Sequence, residues 1–473
     1  MTRASAAVLA ALALVAAGCG GGGGAGSLPE GAGRAPDSAP AFTALKTDAS
    51  SEEWQNARKL AAKFPAVAPM LDTVEKYRSA FGPELDVVWL DFANGGNDVV
   101  ALTKPSEIDK LKALLGADTS TADAGDGWLA LADDPATLDR FKQEASGDKL
   151  DSDDEFEHAF GKLDSEAVVR AWVRGAPVQA ALDRALESGG AAPGITHDVG
   201  DLKSISGEGH AETDGARVSV YGVIDPAPDL ATFSPSLPDS TPGGAVLYVS
   251  TTELDAPTRV ILRMVGESNP NFDTQLSQVE GVFGLTLKDD IYPLLKGESA
   301  LAVYRGGRIP PILFQQKVDD EKKADGLLRR FSSIASLAGG VGVDTQDIEG
   351  TTVQKLTFES ANVTIWDGVV KGRVFVTNAE ELAREMVTHP EHTLAEDELF
   401  RSAREAAGLP DKVAAFAYGD LQNGLPYIFR VVEEGGSVIP PAARANTKPL
   451  HSAFVYLVKD GDALRMSGFV TIK

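Results

Sequence analysis

One order of strands and helices is written twice along this 473-residue chain, and that constrains its architecture more than any other feature. The first copy opens with an alternating strand, Ala41 to Asp48, then a helix from about Ser51 to Lys63 with Ser51 as its N-cap. The second opens with Ala245 to Thr251 and a helical pattern from about Leu254 to Val265. Each copy continues with a strand, a Gly-containing turn and a strand, the signal of a hairpin: Gly82 to Phe92 with Asp98 to Thr103, and Gly297 to Tyr304 with Pro311 to Gln315.

The parallel runs on through a helix, Ser106 to Leu115 against Asp319 to Leu337, and a strand, Gly127 to Ala132 against Gly372 to Thr377. A short helix follows each strand, capped by Asp134 before Pro135 in one copy and by Asn378 in the other. Later, Ala167 to Val173 and Val413 to Tyr418 each lead into a helix. Two alternating strands close each copy, ending near Val223 and Ile472. Frequent hairpins and short helices give an α+β fold class: two duplicated units of mostly antiparallel sheet covered by helices.

The domain organisation follows: a signal peptide at 1–18, a flexible Gly/Pro/Ser-rich tether at 19–40, a first unit at 41–225, a Pro-rich linker at 226–244 and a second unit at 245–473. Between Leu115 and Gly127 the first unit reads as a polar linker. The second carries an extra β meander at 343–370, with a type-I′-like Asp367-Gly368 turn before the next strand.

Cys19 is the only cysteine, so no intramolecular disulfide can form and stability rests on packing. It follows the uncharged run Ala4 to Gly18, which is too short to cross a bilayer core of roughly 30 Å as a helix. The setting Leu14-Val15-Ala16-Ala17-Gly18-Cys19 resembles a lipobox. The resemblance implies export, removal of residues 1–18 and lipidation of Cys19, which would hold the body at the extracytoplasmic face of the bacterial cell membrane. The other reading is a secretory signal cut at Val15-Ala16-Ala17, leaving a free thiol. Gly20 to Gly24 and the stretch to Pro40 fit a tether with a reach on the order of 25 Å.

A formal charge of −25 argues against nucleic acid as a partner and against docking on anionic headgroups, leaving acyl chains on Cys19 as the membrane contact. The remaining partners expected are an envelope protein or a small ligand.

Gly284 and the residues Asp290-Ile291, Pro293, Leu295, Gly297-Glu298 and Ala300-Leu301-Ala302 resemble a motif of a bacterial, often lipid-anchored family of unknown function with duplicated α+β repeats. The first copy keeps only Gly82, Glu84 and the strand after them, and Thr241-Pro242 stands where the family tends to have Leu-Pro. The resemblance implies the fold and the anchor, and carries no activity with it.

Motifs for chemistry are absent from the sequence. There is no phosphate-binding Gly-x-x-x-x-Gly-Lys-Ser/Thr, no Gly-x-Ser-x-Gly elbow, and Gly207-Glu208-Gly209-His210 lacks the third glycine of a dinucleotide fingerprint. His389 and His392 flank Pro390, which makes them part of a turn and not a metal pair on one helix face. Asp151 to His158 reads as a helix start, with Phe156 and Phe160 on its buried face and acidic residues at its N-terminus. Glu396, Asp397 and Glu398 before Phe400 occupy the same place in the second copy. Trp54, Trp89, Trp128, Trp172 and Trp366 read as core.

The expectation is therefore a non-enzymatic, membrane-tethered binding or scaffold module with no cofactor, no metal site and no catalytic residue, its ligand held in a cleft between the units. The alternatives are a solute-binding lipoprotein of a transport system, or a hydrolase built on scattered carboxylates.

Overall fold

Ser51 shows how closely local chemistry sets the elements: its Oγ accepts from Trp54 N at 3.2 Å and starts the first helix where the sequence places it. The computed structural model describes residues 27–473 except 79, 94–95, 116–118, 189–194, 199, 270 and 338–340. Up to residue 225 it contains strands β1 (Ala41–Lys46), β2 (Glu84–Trp89), β3 (Val99–Thr103), β4 (Ser120–Gly125), β5 (Trp128–Ala132), β6 (Val169–Arg174), β7 (Asp201–Glu212) and β8 (Gly215–Asp225). The rest contains β9 (Ala245–Thr251), β10 (Ser299–Tyr304), β11 (Ile312–Lys317), β12 (Val341–Ile348), β13 (Thr351–Phe358), β14 (Val363–Val370), β15 (Arg373–Thr377), β16 (Ala415–Asp420), β17 (Leu450–Asp460) and β18 (Ala463–Ile472).

The helices of the first part are α1 (Glu52–Ala61), α2 (Leu71–Arg78), α3 (Ile108–Leu115), α4 (Pro135–Glu144), α5 (Asp154–Phe160) and α6 (Gly175–Ser188). Those of the second are α7 (Asp255–Ser268), α8 (Phe272–Phe283), α9 (Glu321–Leu337), α10 (Glu380–Thr388), α11 (Glu398–Ala407), α12 (Leu421–Glu434) and α13 (Pro441–Thr447).

All strand pairings are antiparallel, and they join 18 strands into one sheet. From one edge the order is β4, β5, β3, β2, β1, β6, β7, β8. It then crosses to β18, β17, β16, β9, β10, β11, β15, β14, β13 and β12. The crossing is a continuous ladder from Ala463 opposite Val223 to Thr471 opposite Gly215, with the hydroxyls of Ser219 and Ser467 2.7 Å apart. Along this ladder the two parts are joined strand to strand.

Alternation along the strands builds cores on both faces. On one face Phe42, Val88 and Trp172 pack under α4 and α5 through Phe141, Phe156 and Phe160, and Tyr248, Phe375 and Phe454 pack under α10 and α11 through Met386 and Phe400. On the other, Leu45, Leu85 and Leu131 meet Leu111 of α3, and Ala211, Ala216 and Ile472 meet Leu60 of α1.

Four local expectations are corrected. Residues 120–125, read as polar linker, form β4, because small side chains such as Ala122 pair along the edge of β5. Asp367-Gly368 lies inside β14, and the turn before β15 falls instead at Lys371 and Gly372, both with positive φ. Asn378 does not cap α10: the N-cap is Ala379, and Asn378 joins Ile312 N (2.7 Å) to Pro310 O (2.9 Å) across the turn before β11. Residues 28–40, expected as tether, are packed against the sheet with Ala32, Ala35 and Ala39 fully buried. Gly31 there admits no side chain, since a Cβ would collide with the carboxyl of Asp86. The linker is also held in its second part, where Phe233 bridges to Val413 and Pro242 to Thr393.

Asp367 gives the sheet a pH-dependent cost. Burial and the charge of Asp325 push its carboxyl up to about 7, against a hydrogen bond from Gln354 Nε2 at 3.1 Å. The folded state holds this proton to higher pH than the unfolded chain does, so stability falls as pH rises from about 4 to about 7. Asp367→Asn is expected to stabilise the protein by about 2–4 kcal/mol at pH 8, at roughly 1.4 kcal/mol per unit, and hardly at all at pH 4. Urea unfolding at the two pH values checks this; an equal effect at both would rule out titration as the cause.

Candidate functional site

The spacing Trp54, Ala57, Leu60, Ala61, Phe64 gives α1 and the turn after it one apolar stripe facing the sheet. Val67 leads into a turn at Ala68–Met70, and α2 comes back over the same strands. The two helices do not close fully on the sheet. A cavity of about 610 Å³ remains beneath them, floored by Leu45, Leu85, Val168, Val470 and Ile472 and roofed by Leu60, Phe64, Met70 and Leu71. Its walls come almost wholly from the first part of the chain, and the second contributes Leu450 of β17 with Val470 and Ile472 of β18.

Polar groups sit at the margin of this cavity. Arg78 grips both carboxyl oxygens of Glu75, one of them through Nε at 3.0 Å, and donates from Nη1 to Thr47 O at 3.0 Å. The Arg78 hydrogen bond holds Glu75 below the usual carboxylate range and raises Arg78 in turn. On the α1 side, His210 Nδ1 lies 2.8 Å from Glu53 Oε1, while Ala211 N donates to Glu53 Oε2 at 2.8 Å. Burial pulls the imidazole down, but the Glu53 hydrogen bond and the charges of Glu53, Glu208 and Asp164 outweigh it and leave His210 raised. These contacts pin the first turn of α1 to β7.

Among the described residues the wall contains no serine, cysteine or aspartate, and the Thr47 hydroxyl is committed to the Gly82 carbonyl. Such a surface desolvates and encloses an apolar molecule. A second, more polar hollow of about 680 Å³ lies across the seam, lined from one side by Glu52, Glu53 and Asn56 and from the other by Ser402, Ala406 and Lys473.

Of the residues singled out in the sequence, Cys19 lies outside the described ones. His389 follows the last turn of α10 with φ 86°, and His392 Nδ1 stands 3.6 Å from Glu396. Among the described residues no His, Cys, Asp or Glu group gathers as a metal site, and no helix is long and apolar enough to cross a membrane. Asp153 caps α5 through Phe156 N at 2.8 Å and pairs with Arg174 at 2.9 Å, and His158 reaches Asp462 at 2.7 Å. Trp128, Trp172 and Trp366 are buried, whereas Trp54 lines the cavity. Sequence reasoning missed the cavity because Leu45, Leu60, Leu85 and Ile472 each read as ordinary core positions.

A family described as a protein of unknown function, DUF3352, matches residues 71–450. The chain belongs to this family. No curated protein matches it. Among solved structures, crystal form IV of TP0453 is similar at 11% identity over 50% of this chain and 94% of that one, with a TM-score of 0.26. Crystal form I of the same protein is similar at 7% identity over 42% and 79%, with a TM-score of 0.25.

The Gly297-Glu298 motif has a structural role. Glu298 is buried and accepts from Ser236 N (3.0 Å), Leu237 N (3.1 Å), Ser236 Oγ (2.6 Å) and Ser250 Oγ (3.3 Å). A Cβ at Gly297 would collide with the Lys317 carbonyl, and one at Gly82 would collide with the Lys104 carbonyl. The glycine before each hairpin therefore lets the start of the strand that follows it approach the end of its partner.

Proposed function

We propose that this protein is a lipid-anchored extracytoplasmic binding protein whose body encloses an apolar molecule without transforming it. The observation that carries this reading is the cavity beneath α1 and α2, whose volume lies within the roughly 300–1,000 Å³ of small-molecule sites. The lipobox-like setting of Cys19 supplies the anchor, and residues 28–40, packed on the sheet, leave at most the stretch before them as tether.

The body is read as one unit written twice. Strand order supports this: β4, β5, β3, β2, β1, β6, β7, β8 is matched by β14, β15, β11, β10, β9, β16, β17, β18, with β12 and β13 as the addition. In this scheme α1 and α2 correspond to α7 and α8.

Ala57→Trp places an indole on the roof of the cavity. It is expected to weaken binding of an apolar fluorescent probe at least about tenfold, the equivalent of roughly two lost methylene contacts, with the unfolding midpoint little changed. Unaltered probe binding would sink the assignment of the cavity as the site. Cys19→Ala is expected to abolish fatty-acid labelling and move the protein from the membrane to the soluble fraction. Retention on the membrane would place the anchor elsewhere.

A further inference from the structure

Among the described residues the wall of the cavity carries more basic than acidic side chains, although the chain as a whole is acidic. In a protein of net charge −25, three basic side chains among the described residues, Lys46, Arg58 and Arg78, line this cavity against one acidic side chain, Glu75. Two of the cations are committed: Arg78 to Glu75, and Lys46 to Glu166 at 2.9 Å. The Arg58 side chain is exposed and makes no ion pair or hydrogen bond with a described residue, although its charge reaches the Glu75 carboxylate. Its neighbours one helical turn away are Trp54, Gln55, Ala61 and Ala62, none of them acidic, so its own helix does not neutralise it.

The cavity thus has an apolar interior and, at its margin beside the Arg78–Glu75 pair, a guanidinium with no ion-pair partner among the described residues. A volume of about 610 Å³ has room for an alkyl chain. We propose that the ligand is a single-chain amphiphile with an anionic headgroup, its chain beneath α1 and α2 and its headgroup against Arg58. This rests on the reading of the cavity as the binding site and adds the class of molecule. Guanidinium pairs with carboxylate and with phosphate through the same paired N–H donors, so the shared chemistry is an oxyanion on a long chain.

The test uses the mature full-length protein and four probes of one chain length: hexadecanoate, hexadecyl phosphate, hexadecanol and hexadecylamine, each displacing an apolar fluorophore. One or both oxyanions are expected to bind at least about tenfold more tightly than the alcohol, the scale of one charge-assisted hydrogen bond, with the amine weakest. Preference between the two oxyanions tells carboxylate from phosphate. Arg58→Gln should bring the oxyanions down to the level of the alcohol. If the alcohol binds as tightly as both oxyanions, or Arg58→Gln leaves their advantage intact, the headgroup assignment is overturned while the apolar site stands. If none of the four displaces the fluorophore, the cavity reading itself fails.

Discussion

Phe400→Ala is expected to destabilise the protein by about 3–5 kcal/mol, a large share of the roughly 5–15 kcal/mol that holds a domain folded. The ring is 1% exposed and sits at the centre of an aromatic group, with centroids 5.1 Å from Tyr418, 5.8 Å from Phe454 and 6.3 Å from Tyr248. Three of these contacts are edge-on, the arrangement in which aromatic pairs contribute beyond their buried area. Phe400 is also the residue by which α11 reaches strands β9, β16 and β17 together, so truncation empties the layer between helix and sheet. Phe400→Leu keeps most of the volume and should cost less than half as much. Urea unfolding of both variants measures the difference. A loss below about 1 kcal/mol for the alanine variant would mean that α11 is held by other contacts.

Much of this architecture is written in local chemistry. Ser51 and Asp134 are read as caps, and both side chains accept from the backbone three residues on. Strands such as β5 and β9 announce themselves because β-branched, aromatic and leucine side chains alternate or run between turn residues. Phe156 and Phe160 were legible as the buried face of α5 for the same reason, through a spacing of four.

What escaped the sequence depends on contacts between distant segments. The strand β4 carries Ser120, Ala122 and Gly125, which have little β-propensity of their own, and exists because β5 offers it an edge. Residues 28–40 have the composition of a flexible linker, yet Ala32, Ala35 and Ala39 are small enough to nest in the face formed by Phe42 and Val88. Composition cannot tell a small residue that packs closely from one that does not pack at all. Arg170 adds a long-range clasp to that segment, donating from Nη1 to Ser27 O at 2.7 Å. The cavity is the extreme case, because it is a gap left between elements 400 residues apart, such as Leu60 of α1 and Ile472 of β18.

Glu298→Ala is expected to cost about 3–5 kcal/mol and to free the segment around Ser236 from the sheet. Removing the carboxylate leaves the part-buried Ser236 N and the buried Leu237 N without their acceptor, and an unpaired buried donor costs about 1–3 kcal/mol. The Ser236 hydroxyl loses its 2.6 Å acceptor as well, and only Lys317 Nζ, at 3.0 Å, still ties it to β11. Downstream, the segment stays fastened by Gln315 Nε2, which donates to Thr241 Oγ1 at 2.7 Å, and by the bridge between Pro242 and Thr393. Loosening should therefore be local, spanning the residues from Phe233 to Leu237. Glu298→Gln retains one acceptor oxygen and the shape of the side chain, and should cost about 1–2 kcal/mol. Amide exchange reads the two effects separately from global stability: in Glu298→Ala the Ser236 and Leu237 amides should exchange faster than those of β10 beside them. Equal protection at both places would mean that the carboxylate supports the whole sheet and not this segment. The local outcome would explain why a glutamate directly follows Gly297: the glycine brings β10 close to Lys317, and the next side chain then reaches the incoming chain before β9.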